Sequence, residues 1–260
     1  PGLVPAALTF DRQVVLDPEV VASALDELAA TGGPPSPSVA RAAAAAREDR
    51  LDALLDLLGA GEAPSAGLAF LRGLGLFYRG EMAAAGDQFR ATLRLRPDFA
   101  PALLYLGATS AALGRDQDAA GAWNQARLAD VHSPVLALLL SDALLRRGEV
   151  DAALDLLREA SASWPDDDRF RPRVGLALAA AGRTEEALGP LLAHLEGRPG
   201  DLDTLLAAVQ LLYEGLAGGG GGGDRERFLR HARAYVAAAG PRHALVAQWI
   251  RAVEDADAAR

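Results

Sequence analysis

Residues 100–133 read APALLYLGATSAALGRDQDAAGAWNQARLADVHS. The first part of this stretch, 100–113, carries apolar residues at helical spacing, and Pro101 suits the first turn of a helix. Gly114 follows the last apolar residue, where glycine can take the left-handed conformation that ends a helix. The polar run 115–118 then predicts the start of a second helix of about 14 residues. The stretch therefore predicts a helical hairpin.

The same residue types return every 34 positions along the middle of the chain. Four classes share this period, namely glycines at Gly80, Gly114, Gly148 and Gly182, alanines at Ala85, Ala119, Ala153 and Ala187, small residues at Gly73, Gly107, Ser141 and Gly175, and bulky residues at Phe89, Trp123, Leu157 and Leu191. A glycine inside a helix costs about 1 kcal/mol relative to alanine. Small residues at one helical position therefore indicate a close approach of two helices. We expect the alanines to face them, and the bulky residues to fill the space toward the next repeat.

A 34-residue period with these residues at fixed offsets, and with Pro97, Pro165 and Pro199 in the same register, resembles the tetratricopeptide repeat family over about 66–240. The resemblance implies an all-α fold, a right-handed α-solenoid of antiparallel helical hairpins. The hairpins stack because one hairpin cannot bury its apolar faces alone. We expect about five repeats within 64–240, at 66–99, 100–133, 134–167, 168–201 and 202–240.

The fifth repeat is interrupted by six consecutive glycines at 218–223. They predict a flexible loop in place of the tight turn, with the partner helix resuming near Asp224. Segment 38–63 is expected to be a degenerate capping hairpin with helices at 38–47 and 50–58, and 241–260 a C-terminal capping helix. Segment 1–37 is expected to hold an extended stretch and one helix over 17–30. Phe10 and the run 14–16 make that extended stretch apolar enough to need a surface to cover.

Composition narrows the possible functions. The chain has 260 residues and a net charge of −9, which argues against a general nucleic-acid or anionic-membrane binder, because such binding needs a positive field. No run of 18 apolar residues is free of charge or glycine, so direct membrane insertion is not expected. All 26 basic residues are arginine, which together with abundant alanine and leucine indicates a bacterial source. The compartment stays open: cytoplasmic, or periplasmic or extracellular within a longer secreted chain.

Catalytic chemistry is not expected from these residues. The chain contains no cysteine, which excludes disulfides and thiolate ligands. Its four histidines are scattered without the spacing of a metal site, and we expect each to be a surface or turn residue. The acidic run 166–168 is expected to cap the helix that follows it. We therefore predict no enzyme activity, no cofactor and no bound metal.

The family resemblance also implies a binding surface. In tetratricopeptide repeats, positions two, five, nine, twelve and thirteen of each first helix line a concave groove. Carried onto this sequence by register, these positions are mostly apolar. The candidate partner-binding residues are Phe70, Leu74, Phe77, Tyr78, Leu104, Ala108, Leu138, Asp142, Arg146, Leu176, Gln210 and Tyr213. The subgroup that binds chaperone carboxylates needs basic side chains where Phe70 and Leu74 stand, so a carboxylate clamp is not expected.

An apolar groove suits an amphipathic helix or an extended apolar segment. The leading hypothesis is a non-catalytic scaffold that binds a protein or peptide in this groove. Some of the residues could instead be core between repeats, or be covered by the chain's own N-terminal segment or by a second copy. The alternative hypothesis is a structural or self-assembling accessory domain of a larger bacterial envelope or secreted protein, or of a filament.

Overall fold

A computed structural model describes residues 25–26, 36–48, 50–58, 64–129, 133–217, 222–239 and 244–258. All regular structure in these residues is helical, which confirms the all-α fold. The described residues fall into two compact units that divide after Arg147. The right-handed twist expected for the solenoid stays a prediction.

The N-terminal unit holds seven of the helices, in addition to Leu25 and Asp26, which are also helical. They are α1 (Pro37–Arg47), α2 (Leu54–Leu57), α3 (Ala66–Tyr78), α4 (Met82–Leu95), α5 (Ala100–Ala112), α6 (Asp116–Leu128) and α7 (Pro134–Arg146), and a 3-10 turn (Leu51–Ala53) precedes α2. Helix α3 packs on α4, and α5 packs on α6, as two antiparallel hairpins. The hairpins join through α4 and α5, and α7 packs on α6.

The C-terminal unit continues the same architecture. Its helices are α8 (Val150–Ser163), α9 (Phe170–Ala180), α10 (Thr184–Gly197), α11 (Leu202–Ala217), α12 (Gly222–Ala239) and α13 (Ala244–Ala258). Helices α9 and α10 form one hairpin, α11 and α12 form another, and α13 packs on α12.

The tight turns follow from the periodic glycines. Gly114 has φ +71°, in the left-handed region where only glycine is unstrained. Its N–H donates to the carbonyl of Ala111 at 3.0 Å, and the N–H of Arg115 donates to the carbonyl of Ser110 at 2.9 Å. This pair of bonds satisfies carbonyls that the end of α5 would otherwise leave open. Gly182 ends α9 by the same two bonds.

The bulky periodic residues pack against the glycines of their own hairpins. A Cβ added at Gly73 would lie 2.6 Å from Cε1 of Phe89, and one added at Gly107 would overlap the ring of Trp123. We expected these residues to point toward the next repeat, and that expectation was incomplete. Phe89 does stack on Tyr105 of the next hairpin, with ring centroids 5.3 Å apart, but it also closes its own. The absence of a side chain at the glycine thus leaves the space that the ring occupies.

The flanking segments differ in detail from the sequence pattern. The helix expected over 50–58 is split into the 3-10 turn and α2, because Arg50 is not helical and no side chain caps the N-terminus. Helix α12 begins at Gly222, two residues before the predicted start. Of the helix expected over 17–30 only Leu25 and Asp26 are described, and residues 218–221 of the glycine run also lie outside the described residues. The division into repeats and caps stays a prediction.

Candidate functional site

Most of the candidate groove residues of the N-terminal unit are buried. We use the name first-helix face for the groove positions of α3, α5 and α7. Six apolar side chains at these positions are at most 9% exposed, namely Phe70, Leu74, Phe77, Leu104, Ala108 and Leu138. Tyr78 is different, since it is 47% exposed. Sequence register assigned these residues to one side of each first helix, and it carried no signal for how deeply each side chain is buried.

An aromatic cluster explains this burial at α3. The ring of Phe70 lies edge-on to Phe99, with centroids 5.1 Å apart, and 5.9 Å from the ring of Tyr105. Phe77 also meets Tyr105 edge-on, at 5.5 Å. Edge-to-face contacts of this kind stabilise the fold by more than the apolar area they bury would account for. Phe70 and Phe77 therefore help to join two hairpins, and their direct contact with a partner stays a prediction.

Polar groups enter the first-helix face at α7. Asp142 is 7% exposed and lies one helical turn before Arg146. The Nε of Arg146 donates to Oδ1 of Asp116 at 2.6 Å, and both side chains are less than a third exposed. This ion pair ties α7 to the start of α6. The candidate groove thus combines an apolar floor with one buried carboxylate and one partly buried guanidinium.

In the C-terminal unit, a candidate residue is covered by the last helix. Tyr213 is half-buried, and its ring stacks on Trp249 of α13 with centroids 4.9 Å apart and planes 12° from parallel. Gln210, one turn earlier, donates to Glu214 at 3.1 Å. Leu176 is 9% exposed. The sequence predicted a C-terminal capping helix over 241–260, but it carried no signal for the stacking of Trp249 on Tyr213.

His194 does not fit the expectation that the histidines are surface or turn residues. It is 5% exposed, and its Nε2 lies 3.0 Å from Oδ2 of Asp201. Asp201 also accepts from the backbone N–H of Thr204 at 3.2 Å and from its hydroxyl at 2.9 Å. The carboxylate thus caps α11 and binds α10 at once. The positions 34, 68 and 102 residues before His194 hold the smaller residues Ala160, Ala126 and Thr92. The sequence alone therefore shows that His194 departs from the residue type of this repeat position.

Asp167 and Asp168 of the acidic run at 166–168 form ion pairs, and no side-chain hydrogen bond caps α9, contrary to expectation. Arg169 binds Asp167 with Nη2 2.6 Å from Oδ2, and Arg198 binds Asp168 at 3.0 Å. The side-chain hydrogen bond from Arg169 lowers the pKa of Asp167, against the opposing effect of burial. No group of three potential metal ligands occurs within the described ranges. Across the same residues, no helix has the length and apolar character to cross a bilayer.

Comparison with known proteins supports the tetratricopeptide repeat family. The family model described as Tetratricopeptide repeat matches residues 70–130 and 138–201. Cellulose synthase 2 operon protein C from Komagataeibacter xylinus is 36% identical over 165 residues. That match covers 62% of this chain but only 13% of the relative, so the chain spans a small part of the relative's length.

Solved structures share the fold. YrrB, a TPR protein with an unusual peptide-binding site, is similar with a TM-score of 0.58 and 20% identity, over 71% of this chain and 91% of YrrB. MamA from Desulfovibrio magneticus RS-1, residues 41 to its end, is similar with a TM-score of 0.55 and 16% identity, over 76% and 99% of the two chains. The periodic glycines, the hairpins they close and these matches together show that the chain is a tetratricopeptide-repeat protein.

Proposed function

We propose that this chain is a non-catalytic scaffold that binds a peptide or protein segment on its first-helix face. One observation carries the proposal. Five large apolar side chains among the described residues are exposed, and of these only Tyr78 stands at a groove position. An exposed tyrosine beside an apolar floor is a common anchor in protein interfaces, because it supplies large contact area at low conformational cost. The similar fold of YrrB, which has a peptide-binding site, supports the same role.

Tyr78→Asp is the substitution that tests this proposal. Phe77→Asp is unsuitable, because Phe77 is 1% exposed and a buried carboxylate would destabilise the unit. Leu128→Asp is the matched control: Leu128 is 72% exposed on α6, a second helix, outside the first-helix face. Neither substitution should change the melting temperature by more than a degree or two, because both side chains are exposed.

The measurement is a peptide-display selection against the full chain, followed by affinity titrations of the selected peptides. We expect Tyr78→Asp to weaken binding by about tenfold or more, the loss of one interface anchor, and Leu128→Asp to leave it unchanged. Equal affinity of both variants for the selected peptides would show that Tyr78 does not contribute to the binding site. Selection of no peptide by this chain would contradict the proposal.

A second candidate function is a structural accessory domain of a larger protein. The observation in its favour is that the curated relative is much longer than the matched stretch, which covers 13% of it. Under this alternative the same face joins copies or other domains of the parent chain. Tyr78→Asp should then shift the sedimentation coefficient of the chain at micromolar concentration, whereas an unchanged value would count against self-association.

A further inference from the structure

Helix α13 continues the row of first helices in the C-terminal unit. Tyr213 of α11 and Phe77 of α3 both stand at groove position twelve of their blocks. The ring of Phe77 contacts Tyr105 of the next first helix at 5.5 Å, and the ring of Tyr213 contacts Trp249 of α13 at 4.9 Å. Helix α13 also packs on α12, as α5 packs on α4. Trp249 therefore takes the place of Tyr105, and α13 takes the place of a further first helix.

This register assigns other residues of α13 to groove positions. Val246 corresponds to Ala102, and the two side chains are both 0% exposed, which supports the register. Groove positions two, five and twelve of α13 then fall on Leu245, Gln248 and Asp255. All three side chains are exposed, Leu245 to 54%. The groove positions of α13 are thus accessible, whereas most of those in the N-terminal unit are buried.

Helices α11 and α13 together present an open surface with apolar side chains. Leu206 and Tyr213 of α11 are half-buried, and Leu245 of α13 is exposed. Neighbouring packed helices lie about 8–10 Å apart, and a shallow apolar groove between two helices accepts the apolar side of a third. We use the name C-terminal face for six side chains at groove positions of these two helices, namely Leu206, Tyr213, Glu214, Leu245, Gln248 and Asp255.

The C-terminal face has a negative charge. Helix α11 contains no basic residue, and the groove positions of both helices include the carboxylates of Glu214 and Asp255 and no arginine. Glu214 accepts from the neutral amide of Gln210 at 3.1 Å. Among the residues that the structure describes, no cation pairs with Glu214 or Asp255, although Arg251 lies one turn before Asp255. Carboxylates beside exposed apolar side chains favour an occupant that is both apolar and basic, because complementary potentials select partners.

We propose that the C-terminal face binds a basic amphipathic helix of a partner protein. The apolar side of that helix lies against Leu206, Tyr213 and Leu245, and its cations lie near Glu214 and Asp255. The net charge of −9 favours the approach of such a partner. Since the C-terminal face shares no residue with the first-helix face, binding here does not rest on the proposed function.

The probe is a synthetic amphipathic helix of about 18 residues, with leucine on one side and lysine on the other. Its affinity for the full chain is measured by fluorescence anisotropy. We expect it to bind at least about tenfold more tightly than the same helix with glutamate in place of every lysine. Its affinity should fall about threefold or more when NaCl rises from about 50 to about 300 mM, because salt screens the attraction. Equal affinities of the lysine and glutamate helices would overturn the proposal.

Two pairs of charge reversals locate the contact. Glu214→Lys combined with Asp255→Lys should weaken binding of the lysine helix by about tenfold or more. Asp151→Lys combined with Asp155→Lys is the matched control, because it changes the net charge equally on α8, a second helix of the same unit. All four native side chains are exposed, so helicity should stay unchanged. An equal loss of affinity in both double variants would assign the attraction to net charge and contradict binding at the C-terminal face.

The apolar contact is tested without a change of charge. Leu245→Ser should weaken binding of the lysine helix about fivefold or more, because the leucine would be buried in the complex. Leu128→Ser, at a side chain 72% exposed on a second helix of the other unit, should leave the affinity unchanged. A sedimentation coefficient that rises with chain concentration, and does not rise in Leu245→Ser, would assign the C-terminal face to a second copy and overturn the proposal.

The first-helix face and the C-terminal face fail separately. Tyr78→Asp should leave the affinity for the lysine helix unchanged, since Tyr78 belongs to the N-terminal unit. If the lysine helix binds as expected and no displayed peptide depends on Tyr78, the basic partner stands and the scaffold function of the first-helix face fails. If displayed peptides depend on Tyr78 and the reversal of Glu214 and Asp255 changes nothing, the scaffold function stands and the basic partner is refuted.

Discussion

The repeating glycines inside the first helices show how one residue sets the geometry of a hairpin. At Gly73, Gly107 and Gly175 the missing side chain is replaced by a bulky side chain from the second helix of the same hairpin. At Gly107 the arrangement is also polar, because the indole N–H of Trp123 donates to the carbonyl of Leu104 at 3.0 Å. The cost of glycine in a helix is thus offset by burial of an aromatic ring.

This predicts opposite effects of the same substitution at two helical glycines. Gly107→Ala should destabilise the chain by about 1–3 kcal/mol, because its Cβ would overlap the ring of Trp123 in a packed core. Gly121→Ala should stabilise it by about 0.5–1 kcal/mol, because that glycine lies in α6 with no atom within 4 Å of an added Cβ. Urea unfolding followed by circular dichroism measures both. A stabilising Gly107→Ala would show that the ring moves aside freely.

At the scale of elements, the junction between α10 and α11 depends on one carboxylate. Asp201 caps α11 through Thr204 and holds the buried His194 of α10. Burial opposes the ionisation of Asp201, but the hydrogen bonds from Thr204 and His194 outweigh it, so the pKa of Asp201 is lowered. A lowered folded-state pKa means that the ionised carboxylate stabilises the fold above the pKa of the unfolded chain, about 3.9.

Asp201→Asn should therefore destabilise the chain at pH 7 by about 0.5–1 kcal/mol, with the effect limited by partial exposure of the carboxylate. Asparagine still caps a helix, so the loss reports on the charge. The difference from the native chain should shrink as pH falls below about 4, because the native carboxylate then becomes protonated. Urea midpoints across pH 3 to 7 test this. Asp155→Asn, at a side chain 81% exposed, should show almost no difference, and an equal loss there would refute the argument.

At the scale of the whole molecule, net charge and ion pairs act in opposite directions. The chain carries a net charge of −9, and repulsion of this kind weakens a folded state. Many of its ion pairs are exposed, such as Arg230 with Glu226, whose side chains are 66% and 79% exposed. Exposed ion pairs contribute little to the free energy of unfolding. Repulsion among the excess carboxylates should therefore dominate the response to salt.

We expect the melting temperature at pH 7 to rise by about 1–2 °C between 10 and 150 mM NaCl. The Debye length falls from about 30 to about 8 Å over this range, and repulsion between distant charges is screened first. Near pH 5, close to the sequence pI, the same salt increase should have a smaller effect, because the net charge is then close to zero. Differential scanning calorimetry at the two pH values measures this. A melting temperature that falls with salt would show that the ion pairs dominate.

The hairpins could be predicted because their signals are local. Gly80, Gly114 and Gly182 stop a helix through their own backbone conformation, and apolar spacing within each 34-residue block marks the helix face that packs. The candidate site was less accessible to prediction. Register assigns Phe77 and Tyr78 to the same groove, yet one is 1% and the other 47% exposed. The difference depends on Tyr105, which lies in the next hairpin.

By itself, the sequence determined the all-α hairpin fold and the places where helices turn, because glycine conformation and helical periodicity act within about 34 residues. Only the tertiary structure decided which groove positions are core, that His194 is buried against Asp201, and that Trp249 covers Tyr213. Each of these depends on a contact between different helices. Burial is a property of the neighbours that surround a side chain, and a residue's own position in a repeat does not specify them.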